Sequence, residues 1–175
     1  GTAPLRRPIM ITAFEGWNDA ADSATDAIEA LELAWSAQPL GEIDPEDYYD
    51  FQVNRPSVAM IDGVSRRVSW PTTRLTLAES VPERRDIVLV RGLEPNMRWR
   101  TFCGEIIDAA NRLGIDEVVN LGALLSDSPH TRPVPVTGTA ADGETARRLG
   151  LEQSSDEGPT GIVGPVEMVG TRLRR

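Results

Sequence analysis

Three short segments carry the residues whose types and spacing could do chemistry. Glu15, Asn18 and Asp19 follow an apolar run, Ile9 to Phe14. Glu94 and Asn96 follow a second, 86–91, and Asp127 and His130 follow a third, 117–125. If the three runs are strands of one α/β sheet, these loops lie at its carboxyl end, where such folds bind ligands. Carboxylates and an imidazole brought into one cleft would suit general acid–base work. Each residue also has a plainer role. Asn18 or Asp19 can cap the helix that follows, Asn96 can cap another, and His130 can be a solvated loop residue. Trp17, directly after Gly16, must either plug the sheet end or face a partner. A fourth candidate is Gly158 to Gly164, GPTGIVG, with Thr160 and Gly161. A glycine-rich turn can cradle an anion with its N–H groups, but Pro165 interrupts any helix there.

Composition removes several chemistries. All 18 basic residues are arginine. Without lysine there is no Schiff base on a side chain, no Walker A lysine and no kinase-type lysine. One histidine and one cysteine exclude a structural zinc site of Cys and His ligands. No metal and no cofactor are expected. The net charge of −9 disfavours nucleic acid as a partner. No apolar run reaches 18 residues, so no membrane span is expected, and GTAPLRRP does not read as a secretory signal. A single cysteine, Cys103, forms no internal disulfide, and cytoplasm is the expected compartment. It lies on an apolar helical stripe and reads as core.

The elements that must position these residues follow from periodicity. A strand over 9–14 leads to a helix ending near Trp35, with Ala20, Ala24, Ala27, Ile28, Leu31, Ala34 and Trp35 in its apolar stripe. With Asp19 as cap, Asp22 falls at the third helical position, a weak capping box. Residues 38–50 read as a polar connection, with EIDPEDYYD a solvated face or, through its tyrosines, a protein contact. Strands are expected over 51–54 and 58–62, with Asp62-Gly63 as a turn. Residues 66–70 and 75–79 read as hairpin partners around Pro71. The strand at 86–91, a helix over about 97–113 closed by Gly114, and a strand at 117–125 make a βαβ unit. An edge strand over 134–139 and a short helix over 142–149 complete the pattern. The expected fold is α/β: a mixed, partly parallel sheet flanked by helices, in one domain over 1–164 with an antiparallel excursion at about 51–80. Residues 165–175 are unassigned.

Five separated motifs also carry a resemblance. ITAFEGWNDAADSATDA, DPEDYYDFQVNRPSV, RGLEPNMRWRTF, VVNLGALLSDSPHTRPVPVTG and EGPTGIVG occur in order over about residues 9 to 164. Together they resemble the proteasome assembly chaperone family, of the type named for the second such chaperone, in its uncharacterised actinobacterial branch. The resemblance implies a nucleoside-phosphorylase-like core. It implies protein partners, proteasome subunits among them. A homo-oligomer is expected as well, and a third reading makes the chain a structural subunit of such an oligomer. The resemblance implies a further helix, strand and helical tail beyond GPTGI, so the chain is expected either to be incomplete at that end or to join separated segments near residue 165. No catalytic role carries over to Phe14–Asp19, Leu93–Asn96 or Asp127–His130. The favoured reading is a non-enzymatic interaction or assembly factor. The alternative is a small-molecule-binding protein or a hydrolase- or phosphorylase-like enzyme using the strand-end loops.

Overall fold

The computed structural model describes residues 4–81 and 84–151. A five-stranded sheet runs in the order β2-β5-β6-β1-β7. Its strands are β1 (Ile9–Glu15), β2 (Gln38–Ile43), β5 (Thr73–Val81), β6 (Arg85–Leu93) and β7 (Glu117–Asn120). β6 and β7 both run parallel to β1, while β5 is antiparallel to β6 and to β2. The expected mixed, partly parallel α/β sheet is therefore present. The βαβ unit crosses from β6 through α2 (Trp99–Arg112) to β7, with β1 inserted between the two strands. All three parallel strands consequently end on the same side.

The sheet is covered on both faces. Ala24 and Ile28 of α1 (Ser23–Ala34) pack on Ala13, Ala78, Ile87 and Leu89. Small alanines let the helix lie close to the strands, although Ala27 and Ala34 of the expected stripe are exposed. On the other face, Phe102, Cys103, Ile106 and Ala110 of α2 meet Met10, Phe14, Val88 and Val90. β6 lies inside the sheet and is buried on both faces, which is why its sequence reads as a continuous apolar run. At its start Asp86 is buried but satisfied: the Arg6 N–H donates to it at 2.6 Å and the Arg6 guanidinium pairs with it at 3.3 Å. Burial pushes the Cys103 thiol up to about 11, so it is a core residue that stays protonated at neutral pH.

Several expected elements differ. Residues 38–43 form β2, an edge strand whose register shifts between Pro39 and Gly41. Proline is tolerated at an edge because no ladder donor is needed there. Residues 51–54 form a turn, in which the Asn54 N–H donates to the Asp50 carbonyl at 2.8 Å. The 65–69 segment pairs as β4 (Ser65–Ser69) with β3 (Ser57–Ile61), and β5 joins the main sheet instead. The Asp62-Gly63 turn decides this. Both residues have positive φ, 53° and 70°, and the Val64 N–H closes on the Ile61 carbonyl at 3.1 Å, the geometry that favours a tight hairpin. β7 stops at Asn120, and residues 134–139 form no strand. The short helix is present as α3 (Gly143–Arg148), capped by Asp142 accepting from the Thr145 N–H at 2.7 Å.

Candidate functional site

The site is built on the ends of β1 and β6. Gly16 has φ 141°, which glycine adopts freely. A side chain there would also meet Glu94, whose Oε2 lies 2.9 Å and Cβ 3.0 Å from the place of a Cβ. The Glu94 N–H donates to the Glu15 carbonyl at 2.8 Å, and the Asp19 N–H closes back on the Gly16 carbonyl at 3.2 Å. A fixed turn results, with Trp17 at its corner and 65% exposed. Trp17 thus does not plug the sheet end.

Asp19 is buried and fully used. Its carboxylate accepts from the Ala24 N–H at 2.6 Å, the Thr25 N–H at 3.3 Å and the Thr25 hydroxyl at 2.5 Å. It caps α1 across a short 3₁₀ turn at Ala20–Asp22. The expected capping box does not form, because Asp22 has φ 56° and precedes the helix. Asn18 docks the third loop: its carbonyl accepts from the Ala123 N–H at 2.7 Å, and the Ala20 N–H returns to the Ala123 carbonyl at 3.0 Å. The Asn18 Oδ1 is buried without a hydrogen-bond partner among the described residues.

Asn96 does not cap α2. That helix starts after Arg98, at φ 54°, with no side-chain cap. The Asn96 Oδ1 instead accepts from the Asp50 N–H at 2.8 Å and the Asn54 Nδ2 at 2.7 Å, and its own N–H donates to the Tyr48 carbonyl at 2.9 Å. It clasps the 45–54 segment against the sheet end. Within that segment, read from sequence as a solvated acidic face, Tyr48 and Tyr49 are buried. The Tyr48 hydroxyl donates to Glu105. The Tyr49 hydroxyl donates to the Leu93 carbonyl at 2.6 Å and lies 3.2 Å from the Thr73 hydroxyl. Burial raises both hydroxyls above the ordinary tyrosine value, with Glu105 adding to the rise at Tyr48. The adjacent tyrosines in EIDPEDYYD were the available signal that one side of this stretch is covered.

Asp127 and His130 lie on an exposed loop, and neither side chain makes a hydrogen bond or ion pair with the described residues. Thr160 and Gly161, with the rest of GPTGIVG, lie outside the described residues, as do residues 165–175. The structure therefore brings together Glu15, Trp17, Asn18, Asp19 and Glu94. It turns Asn96 toward the 45–54 segment and leaves Asp127 and His130 in the third loop. Among the described residues no group of three His, Cys, Asp or Glu side chains is placed to hold a metal ion. No helix among them is long and apolar enough to cross a membrane.

The Glu15 carboxyl is displaced upward from its ordinary value. Burial raises it, Asp22 and Asp19 add to the rise, and Arg91 opposes it. The folded state then binds more proton than the unfolded state between the ordinary value of 4.5 and the raised one. Stability attributable to Glu15 falls as pH rises through that window. Glu15→Gln is expected to be more stable than the parent at neutral pH and equal to it below the window. Urea unfolding at acid and neutral pH reads this directly, and a pH-independent difference would count against it.

Comparison with known proteins identifies the lineage. A family model described as the PAC2 family matches residues 13–174. The chain belongs to the PAC2 family. Among solved structures, a PAC2 family protein from Streptomyces avermitilis is 52% identical, with a TM-score of 0.91 over 95% of this chain and 71% of that one. The proteasome-assembly chaperone homologue of Mycobacterium tuberculosis is 49% identical, with a TM-score of 0.86 over 95% of this chain and 70% of that one. Pyrococcus furiosus PbaA, an archaeal homologue of proteasome-assembly chaperone, shares the fold at 15% identity, with a TM-score of 0.65 over 98% of this chain and 70% of that one. Comparison with the curated proteins returns no match. The PAC2 sheet thus places the Glu15–Asp19 turn, with its exposed tryptophan, at the carboxyl end of its parallel strands.

Proposed function

We propose that this PAC2 protein is a non-enzymatic assembly factor that binds proteasome subunits through the Trp17 turn. The observation that carries the reading is a large aromatic held outward on a rigid turn, with Leu124 and Leu125 exposed at 68% and 93% in the loop that docks on it. Exposed tryptophan on pre-ordered backbone is a common energetic centre of protein contacts, because little conformational freedom is lost on binding. The relationship to the Mycobacterium tuberculosis chaperone homologue supports the choice of partner. Self-association and a cytoplasmic site of action belong to the same proposal. The acid–base alternative has less support, since Asn96 is committed to the 45–54 segment and His130 lies exposed in its own loop.

A tagged protein captured from the source organism, with bound proteins identified by mass spectrometry, tests the reading. Proteasome α-subunits are expected with the parent and are lost with Trp17→Ala. Recovery of the tagged chain alone, from both forms, would count against it. Because Trp17 is largely exposed, its loss is expected to change stability by less than about 0.5 kcal/mol, so the variant separates binding from folding.

A further inference from the structure

On the face covered by α1, the ends of β1, β5 and β6 open into a cleft of about 230 Å³ whose walls include Glu15, Trp70, Pro71, Arg74, Arg91 and Leu93. Strand register sets this grouping. Arg74 lies opposite Arg91, Arg91 opposite Ala13, and Leu93 opposite Glu15. Side chains two apart on a strand share a face, so Glu15, Arg91 and Arg74 lie on the side where Ala13 packs under α1, while Leu93, at the strand end, also packs against the α2-side cluster. Like charges directly opposite on neighbouring strands are unfavourable unless compensated. Arg91 is compensated by Glu29 at 3.2 Å and Glu32 at 3.1 Å, and the Thr76 hydroxyl donates to Glu32 at 2.9 Å. Arg74 is exposed and makes no ion pair with the described residues. At the other end, the Glu15 carboxylate also makes no side-chain hydrogen bond or ion pair with them. Glu15 is exposed overall, but partial desolvation, Asp22 and Asp19 all disfavour its charge, and a bound cation would offset them. The lining also includes Leu93, Pro71 and Trp70, whose ring is packed edge-on against Phe51.

We propose that this cleft binds a small zwitterion, an amino acid or dipeptide, with its ammonium on Glu15 and its carboxylate on Arg74. A simple anion would meet Glu15 and Glu32, and a simple cation would meet Arg74 and Arg91. Only a molecule carrying both charges is matched at both ends. Adjacent strands are about 4.8 Å apart, and Glu15 lies two residues beyond the row that holds Arg91 and Arg74, so the Glu15 and Arg74 backbones are separated by roughly 12 Å. The two long side chains shorten that gap, and a dipeptide spans about 7 Å. The proposal stands on the cleft alone and is independent of the Trp17 contact, which lies on the turn beyond Glu15.

Isothermal titration of the full chain with the free amino acids and a set of glycyl dipeptides tests it. At least one is expected to bind saturably at a single site. Arg74→Gln and Glu15→Gln should each weaken it tenfold or more, with circular dichroism unchanged. N-acetylation of the ligand should weaken binding to the parent but make no further difference in Glu15→Gln, because both changes remove the same charge pair. Amidation of its carboxylate should behave likewise with Arg74→Gln. Absence of binding across the set, binding unaffected by either variant, or equal binding of the acetylated and free forms to the parent would each overturn the proposal.

Discussion

Gly92→Ala is expected to destabilise the protein by about 3 kcal/mol or more, a large part of the margin of a domain this size. Gly92 is buried in β6 against Thr73, the first residue of β5. A Cβ at Gly92 would stand 2.1 Å from the Thr73 hydroxyl oxygen and 2.8 Å from the Thr73 Cα. A rotamer change can move the hydroxyl, but the Cα is backbone in a paired strand. Relief therefore requires β5 and β6 to part at the end that forms the site. The Tyr49 hydroxyl, beside Thr73 and donating to the Leu93 carbonyl, would lose its place with them. Thr73→Ala should not rescue the variant. Gly104→Ala is the control: this glycine is inside α2 with no atom within 4 Å of a Cβ, so its replacement should stabilise by about 0.5–1 kcal/mol. Urea unfolding of the variants checks the ordering, and a Gly92→Ala protein as stable as the parent would contradict it.

Phe102→Ala is expected to cost about 3–5 kcal/mol. The ring is completely buried at the centre of the α2 face. It meets Phe14 edge-on at 5.8 Å and Tyr48 edge-on at 5.3 Å. Those two partners bear on the site from both sides. Phe14 immediately precedes Glu15, and Tyr48 belongs to the segment that Asn96 clasps. Removing the ring leaves a cavity whose lining comes from the sheet and the clasped segment, so local order at the strand end should fall with global stability. Phe102→Leu, which fills much of the volume, should lose distinctly less. Equal losses from the two substitutions would mean that the cavity does not set the cost.

The parts of this structure legible in the sequence are those where burial writes a period. The run 86–91 and the stripe Phe102, Cys103, Ile106, Ile107 and Ala110 fixed a strand and a helix, because each meets the core along its length. The cap was legible only as Asn18 or Asp19, of which the structure uses Asp19, and the 3₁₀ turn between it and α1 was not legible. Pairing was harder to read. Residues 66–70 suit a hairpin with either neighbour, and only the left-handed turn at Asp62-Gly63 selects β3. β2 was hidden because an edge strand with exposed side chains leaves no alternation. At the site, the role of Asn96 depends on residues more than 40 positions away, a relation that spacing does not encode. The burial of Tyr48 and Tyr49 was masked by the acids around them, which point outward while the rings turn in. Arg74 and Arg91 become neighbours only through the β5–β6 register.

Direct binding of purified proteasome α-subunits to the purified protein tests the central claim most closely. Biolayer interferometry with the parent should give saturable binding, and Trp17→Ala, with the same melting temperature, should bind at least tenfold more weakly. Binding that is absent from the parent, or identical in the two proteins, would contradict a partner contact at the Trp17 turn.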